Sequence, residues 1–225
     1  MEKLIAIETA THICSVALSV GDKVFEKKDE GQGVHSAKLF VFVDQLLKEN
    51  NLKVNDLDGI LLGGGPGSYT GLRIGAAGVK GLLFGSDVLL YTIGTLESFA
   101  FAALLNYPEA QVVHAVIDAR REHLYHLCIN RGEFMEQDKA EIRTITEIEK
   151  ALNPGDVIVG TGIERIAEEY RKICISGTDN DISALNLIKL WQQANRAELF
   201  TKVTPQEFEP EYLTMNQVNN SPNSF

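Results

Sequence analysis

A chain of 225 residues that is 44% hydrophobic and 23% charged can bury the core of one large globular domain or of two small ones. Its 21 basic residues against 31 acidic ones leave a net charge of −10, which repels nucleic acid at long range and leaves any gripping of RNA to a partner. No apolar run is long enough to span a membrane, and the opening Met-Glu-Lys-Leu-Ile-Ala-Ile-Glu is too short and acidic for a signal peptide, so a cytoplasmic protein with no membrane partner is expected.

The elements follow in chain order. Residues 3–8 read as a buried strand. Residues 13–20 alternate, with Cys14, Val16, Leu18 and Val20 on one face, and Gly21-Asp22 turns the chain into a third strand at 23–28. A helix is expected at about 36–50, with Ser36 as N-cap and an apolar stripe of Leu39, Phe40, Val43, Leu46 and Leu47. Val41 and Phe42 lie off that stripe, so the helix should be covered on two sides. A short strand at 58–62 enters Gly63-Gly64-Gly65-Pro66-Gly67, a helix runs from Ser68 to about Gly85, and 88–93 is a strand. The second half repeats the order: helix 95–105, strands 112–118 and 123–129, a turn at Asn130-Arg131-Gly132 before a short third strand, helix 146–152, strand 156–159 and helix 162–172. A last long helix at 183–199 carries Trp191, and the polar end from Thr214 to Phe225 should be loose. The repeated β-β-β-α-β-α order predicts an α/β protein of two related lobes.

The segment from Gly63 to Gly75 reads Gly-Gly-Gly-Pro-Gly-Ser-Tyr-Thr-Gly-Leu-Arg-Ile-Gly. Strand, glycine turn and helix N-terminus can form an anion site, and equally a tight turn with close helix packing. The GK[ST] ending of a P-loop is absent, and the spacing is not that of a dinucleotide fingerprint. Gly71, Gly75, Gly78 and Gly85 share one helix face. Each interior glycine costs about 1 kcal/mol relative to alanine, so a smooth face is being kept for a tightly packed helix, in its own lobe or across a subunit boundary. Arg73 and Lys80 exclude a membrane role for it.

Groups with catalytic potential are sparse. His12, His35, His114, His123 and His126 contain no HxxxH pair, and His123 and His126 point to opposite faces of a strand, so they read as structural or surface histidines with no metal site. Cys14, Cys128 and Cys174 match no zinc, CxxC or nucleophile pattern and read as buried thiols in a reducing compartment. Asp118-Ala-Arg-Arg-Glu122 is the one compact charged cluster: a solvated turn, an anion contact, or a bridge to the other lobe through Asp118, Arg120 and Arg121.

The run Gly64-Gly-Pro-Gly-Ser-Tyr-Thr-Gly-Leu-Arg-Ile-Gly75 closely resembles the signature of the TsaB (YeaZ) family. Leu4 to Thr11 with Ser15-Val-Ala-Leu18, His35-Ser36 with Leu46-Leu47, Asp118-Ala-Arg-Arg121 with Tyr125, and Glu209-Pro-Glu-Tyr-Leu213 resemble its other segments in order, so the likeness spans residues 4–213. Glu8 stands where Asp is usual, which counts against a metal-dependent phosphate role there; Ala37, Phe40 and Val41 also depart from the pattern.

The resemblance implies two RNase H-like lobes of the actin-like ATPase class, with mixed sheets flanked by helices. It implies an N-terminal lobe of residues 1–100 that carries the pairing surface and a C-terminal lobe of 101–225 whose last helices fold back on the first. The family role it implies is a non-catalytic subunit, without its own cofactor, in tRNA threonylcarbamoyladenosine synthesis. Such a subunit pairs with the catalytic TsaD, helps recruit the ATPase TsaE, forms a homodimer when alone and meets tRNA only through the complex. TsaD carries an HxxxH metal motif that this chain lacks, since Leu39 lies four after His35. The pairing surface is expected at Phe40, Val43, Leu46, Leu47, Leu72, Gly75, Ala76 and Val79. A nucleotide site shared at the interface would draw on Gly64, Gly65, Gly67, Ser68, Tyr69, Thr70 and Arg73. The competing expectations are an independent nucleotide-dependent kinase of the same fold, which needs acidic metal ligands in its phosphate loops, and a metallopeptidase, which needs the missing HxxxH.

Overall fold

The computed structural model describes residues 1–132, 139–178, 181–193 and 195–213, so the polar end from Thr214 lies outside the described residues. Strands β1 (Lys3–Glu8), β2 (Ile13–Val20) and β3 (Lys23–Glu30) form the expected meander, with β3 two residues longer than expected. Helix α1 (Val34–Glu49), β4 (Gly59–Gly63), α2 (Tyr69–Leu82) and β5 (Leu89–Ile93) complete the first unit. Helix α3 (Thr95–Asn106) leads to β6 (Val112–Asp118), β7 (His123–Asn130), β8 (Glu141–Thr144), α4 (Ile145–Ala151) and β9 (Val157–Val159). The chain ends through α5 (Glu168–Arg171), β10 (Ile175–Ser176), α6 (Ala184–Trp191), α7 (Arg196–Leu199) and β11 (Thr201–Val203).

The first sheet has the order β11-β5-β4-β1-β2-β3 and the second β10-β9-β6-β7-β8. In each, the first strand pairs antiparallel with the second and parallel with the fourth. Setting β11 aside, both sheets read 3-2-1-4-5, the RNase H-like arrangement used twice, and the fold is of the actin-like class.

Alternation along β1 assigns the two faces of the first sheet. Ile5 and Ile7 pack with Leu39, Phe42, Val43 and Leu46 of α1 and Val79 of α2. Leu4 and Ala6 pack on the opposite face with Leu187, Ile188 and Trp191 of α6. Each fully buried Leu or Ile contributes roughly 1.5–3 kcal/mol, so this three-layer stack carries most of the first unit's stability.

Three expectations are corrected. Ser36 is not the N-cap of α1; Gly33 is, at φ 74°, and Ser36 sits in the first turn with its hydroxyl donating back to the Gly33 carbonyl at 3.0 Å. The glycine lets the chain turn in early enough to bury Val34 and His35. The helix expected at 162–172 is a 3-10 turn (Ile163–Arg165) and the short α5, because the Ala167 N–H goes to Glu149 Oε1 at 2.8 Å and Ile166 turns inward. The helix expected at 183–199 breaks after Trp191, whose ring takes Phe200 edge-on at 5.3 Å and Arg196 at 4.8 Å. That reversal delivers β11 to the edge of β5, where it pairs antiparallel. The two-residue β10 and three-residue β11 are too short to show a periodicity of their own.

Two polar features inside the units escaped the sequence. The Arg131 guanidinium donates to the carbonyls of Ala110 (2.7 Å), Leu104 (2.8 Å) and Tyr107 (2.9 Å), closing the C-terminal end of α3 from the turn after β7. In the second sheet, His114 Nδ1 lies 2.9 Å from His126 Nε2, and His114 Nε2 lies 3.4 Å from Asp156 Oδ2, all three residues buried. The carboxylate requires the proton on His114 Nε2, so His114 Nδ1 accepts from His126 Nε2–H; this tautomer pair satisfies the chain with both rings neutral.

Replacing Arg131 by Met removes three charge-assisted bonds from a helix end. A loss of about 2–4 kcal/mol is expected, read as a lower urea midpoint.

Buried groups also set opposing pH slopes. Burial pushes His126 down to about 3 and lowers His114, where Asp156 works against burial. Between pH 4.5 and 6.5 the unfolded chain protonates both rings and the native chain resists, so their contribution is present above 6.5 and lost as the pH falls. Burial pushes Glu8 and Glu97 up to about 7, so their contribution is present below 4.5 and lost as the pH rises. Across that window Glu8→Gln should steepen the rise of urea stability with pH, and His126→Phe should tilt the profile the other way; an unchanged profile in both would refute these assignments.

Candidate functional site

The first turn of α2 and the start of α1 meet over one short loop, residues 9–12, between β1 and β2. The Ser68 N–H donates to the Ala10 carbonyl at 2.6 Å, and His35 Nε2 meets the Thr11 carbonyl at 2.9 Å. Ser68, where the helix was expected to start, is the N-cap of α2, its hydroxyl accepting from the Gly71 N–H at 3.3 Å. A Cβ on Gly67 would overlap the Ala10 carbonyl, and one on Gly71 the Thr9 carbonyl. A Cβ on Gly75 would lie 2.5 Å from Thr9 Oγ1, and one on Gly78 2.9 Å from Leu39 Cδ2. The smooth face of α2 therefore serves its own lobe: it closes on a loop and on α1. Gly81 and Gly85 meet nothing within 4 Å, and Gly85 is the left-handed turn after the helix, at φ 71°.

A cleft of about 910 Å³ opens between the two sheets, walled by Ala10–His12, Gly31–Gly33, His35, Ser36, Gly67–Thr70 and, from the second unit, Asp118–Arg120, Tyr125 and Thr161. Of the seven residues expected at a nucleotide site, Gly67, Ser68, Tyr69 and Thr70 line this cleft. Gly64 lines a separate groove of about 610 Å³ beside β11, and Gly65 is covered by the Glu211 carbonyl. Arg73 stacks at 4.0 Å on the Tyr69 ring, whose other neighbour is Tyr212 at 5.1 Å. The expected set is thus split by the strap of residues 204–213, whose Glu211 N–H bonds the Gly64 carbonyl at 2.8 Å.

The charged turn is also resolved. Arg120 and Arg121 take left-handed backbone, at φ 72° and 53°. Asp118 accepts from the Arg120 N–H at 2.8 Å and from the guanidinium of Arg165, which also holds the Arg121 carbonyl. The bridge from Asp118 closes within the second unit, not across to the first. Glu8 is fully buried; its Oε1 accepts from the Ala10 N–H at 2.7 Å beneath the 9–12 loop, away from the cleft wall. Among the described residues no group of three or more His, Cys, Asp or Glu is arranged to hold a metal ion. Cys14 is buried, Cys128 and Cys174 are half-buried, and none forms a disulfide.

The expected pairing residues need correction. Val43, Leu46, Leu47, Leu72, Ala76 and Val79 are core residues, each at most 6% exposed, and Gly75 is buried against Thr9. A charge at Leu46 or Gly75 would disrupt this core before it probed any pairing. Phe40 is 51% exposed and Val41 44%, whereas Phe42 is buried, so the buried stripe of α1 is Leu39, Phe42, Val43, Leu46 and Leu47. Phe40, Val41 and, just beyond α2, Phe84 are large apolar side chains exposed among the polar residues Asp44, Gln45, Lys48 and Arg73 of the two helices. No helix among the described residues is long and apolar enough to cross a membrane.

A family model described as TsaD: tRNA N6-adenosine threonylcarbamoyltransferase matches residues 30–218. The tRNA threonylcarbamoyladenosine biosynthesis protein TsaB of Haemophilus influenzae is 30% identical over 223 residues, covering 93% of this chain and 92% of that one. Its Escherichia coli namesake is 30% identical over 166 residues, 71% of each chain. The solved structure of YeaZ from Pseudomonas aeruginosa superposes with a TM-score of 0.72 at 27% identity, covering 95% of this chain and all of that one. With the glycine-rich signature seated on the 9–12 loop, the sequence matched over 93% of its length and the fold over 95%, the chain belongs to the TsaB (YeaZ) family.

Proposed function

We propose that this chain is the non-catalytic subunit of the machinery that makes tRNA threonylcarbamoyladenosine, and that it pairs with TsaD through the outer surface of α1 and α2. The observation that carries the reading is the exposure of Phe40 (51%) and Val41 (44%) on α1 and of Phe84 (87%) just beyond α2. Large apolar side chains at that exposure favour a protein partner. The partner is a relative of the same doubled topology, able to offer an equivalent helix pair, and a second copy of this chain takes its place when TsaD is absent. In this reading the pair recruits TsaE, and tRNA is held by the complex, in keeping with a net charge of −10 on this chain. Its place is the cytoplasm.

The cleft wall at Gly67–Thr70 is where a nucleotide shared with the complex would meet this chain, against the N-terminus of α2. An independent kinase is less well supported. The carboxyl of Glu8 is turned beneath the 9–12 loop and Asp118 is engaged by Arg165, so neither stands free as a metal ligand at the cleft.

Phe40→Glu combined with Phe84→Glu changes exposed positions only and should leave the melting temperature within about 2 °C of the parent. Light scattering on the chain alone and mixed with TsaD of the same organism should then show a monomer and no heterodimer. The parent should give a homodimer that converts to a heterodimer. A variant that pairs as the parent does would remove α1 and α2 as the pairing surface.

A further inference from the structure

The carboxyl of Glu8 has no role in the cleft, yet it is fully buried in the first unit and draws two further features around it. Its Oε1 takes the Ala10 N–H at 2.7 Å, while Oε2 has no partner and lies where a Cβ on Gly63 would be. The side chain belongs to the α6 face of the sheet by the alternation of β1, lies over Gly63 of the neighbouring strand, and holds a loop that bears on α1 and α2. That loop is the seat of α2. The Ala10 carbonyl receives the Ser68 N–H, the Thr9 carbonyl fills the space of a side chain at Gly71, and Thr9 Oγ1 does the same at Gly75. The next residue, Thr11, holds His35 of α1. One carboxyl therefore fixes a four-residue loop on which both helices of the exposed face rest.

We propose that Glu8 is the positioning residue of the α1–α2 face: by holding the 9–12 loop it sets the height of α2 against α1, and so which apolar side chains the two helices present together. This rests on the reading that the face pairs, and it adds the element that adjusts the face from the far side of the sheet. Gly63, which has no side chain, leaves the room that the carboxyl occupies.

The test compares Glu8→Gln, which keeps an acceptor at the Oε1 position, with Glu8→Ala, which does not. On the isolated chain, amide hydrogen exchange of Tyr69–Gly75 should quicken by about tenfold in Glu8→Ala, with the amides of β4 unchanged, and stay at the parent rate in Glu8→Gln. Association measured by sedimentation should weaken by about tenfold in Glu8→Ala alone. Unchanged exchange in α2, exchange that rises equally throughout the sheet, or failure of Glu8→Gln to match the parent would each overturn the positioning role. Exchange that quickens in α2 while association holds would keep Glu8 as the residue that seats the helix and remove pairing from this face. Should Glu8→Ala not fold, the same readouts apply to Gly75→Ala, whose methyl would lift α2 from Thr9 Oγ1. Adding Thr9→Ala should bring the helix back, and no recovery in the double variant overturns the proposal.

Discussion

The close approach of α2 to the 9–12 loop is the constraint on which the first unit depends. A helix normally rests on side chains; here its backbone rests on backbone, at Gly67 over Ala10 and at Gly71 over Thr9. Such an approach has no room for a Cβ, so the glycines are kept despite about 1 kcal/mol of helix propensity lost at each interior position. What is gained is a short, direct hydrogen bond from Ser68 to Ala10 and a fixed start for the helix. The position of β4 beneath it, the burial of Val79 and Leu72 and the closeness of α1 at Gly78 all follow from where that start is held.

The strap of residues 204–213 shows how the end of the chain reinforces the same region. Phe208 enters the core between the sheet and α2, and Lys80 on that helix pairs with Glu209 at 3.2 Å. Glu211 joins the glycine turn, Tyr212 stacks on Tyr69, and the Leu213 carbonyl takes the Tyr125 hydroxyl of the second unit at 3.5 Å. A segment with no regular structure of its own thus crosses from one sheet to the other by way of the helix N-terminus. The surface ion pair contributes little, and the buried Phe208 and the backbone bond to Gly64 account for most of the hold.

Much of the fold was legible because it is written in periodicities. The strands of the two meanders and the helices α1 to α4 announce themselves by alternation or by a 3.6-residue stripe, and the repeated order gave the doubled topology. Breaks were harder to read, since they arise from distant partners: Glu149 ends a helix by taking the Ala167 N–H, and Phe200 turns the chain to reach Trp191. The candidate face shows the sharpest limit. Counting apolar residues along α1 places Phe40 in the stripe and Phe42 outside it, and the structure reverses them, because one residue of helix is a rotation of 100°. The pairing residues first expected were those with the strongest helical pattern, and a strong pattern marks what a protein buries in itself. Phe40, Val41 and Phe84 carry a weaker signal, apolar residues where the period asks for polar ones.

The same reasoning separates the two sheets in what they can do. Both have one topology, yet the first exposes Phe40, Val41 and Phe84 on and just beyond its two outer helices, while the second encloses a neutral histidine pair and a buried carboxylate. A buried, fully satisfied polar chain fixes packing and resists rearrangement. An apolar outer surface costs free energy until something covers it. Between them lies a cleft whose wall holds Asp118, tied down by Arg165, while the Glu8 carboxyl is buried beneath the neighbouring 9–12 loop. Catalysis on a phosphoryl group needs charges free to meet a metal or a developing anion. In this chain the Glu8 carboxyl holds the 9–12 loop and Asp118 is held by Arg165, so both carboxyls are engaged in fixing loop geometry.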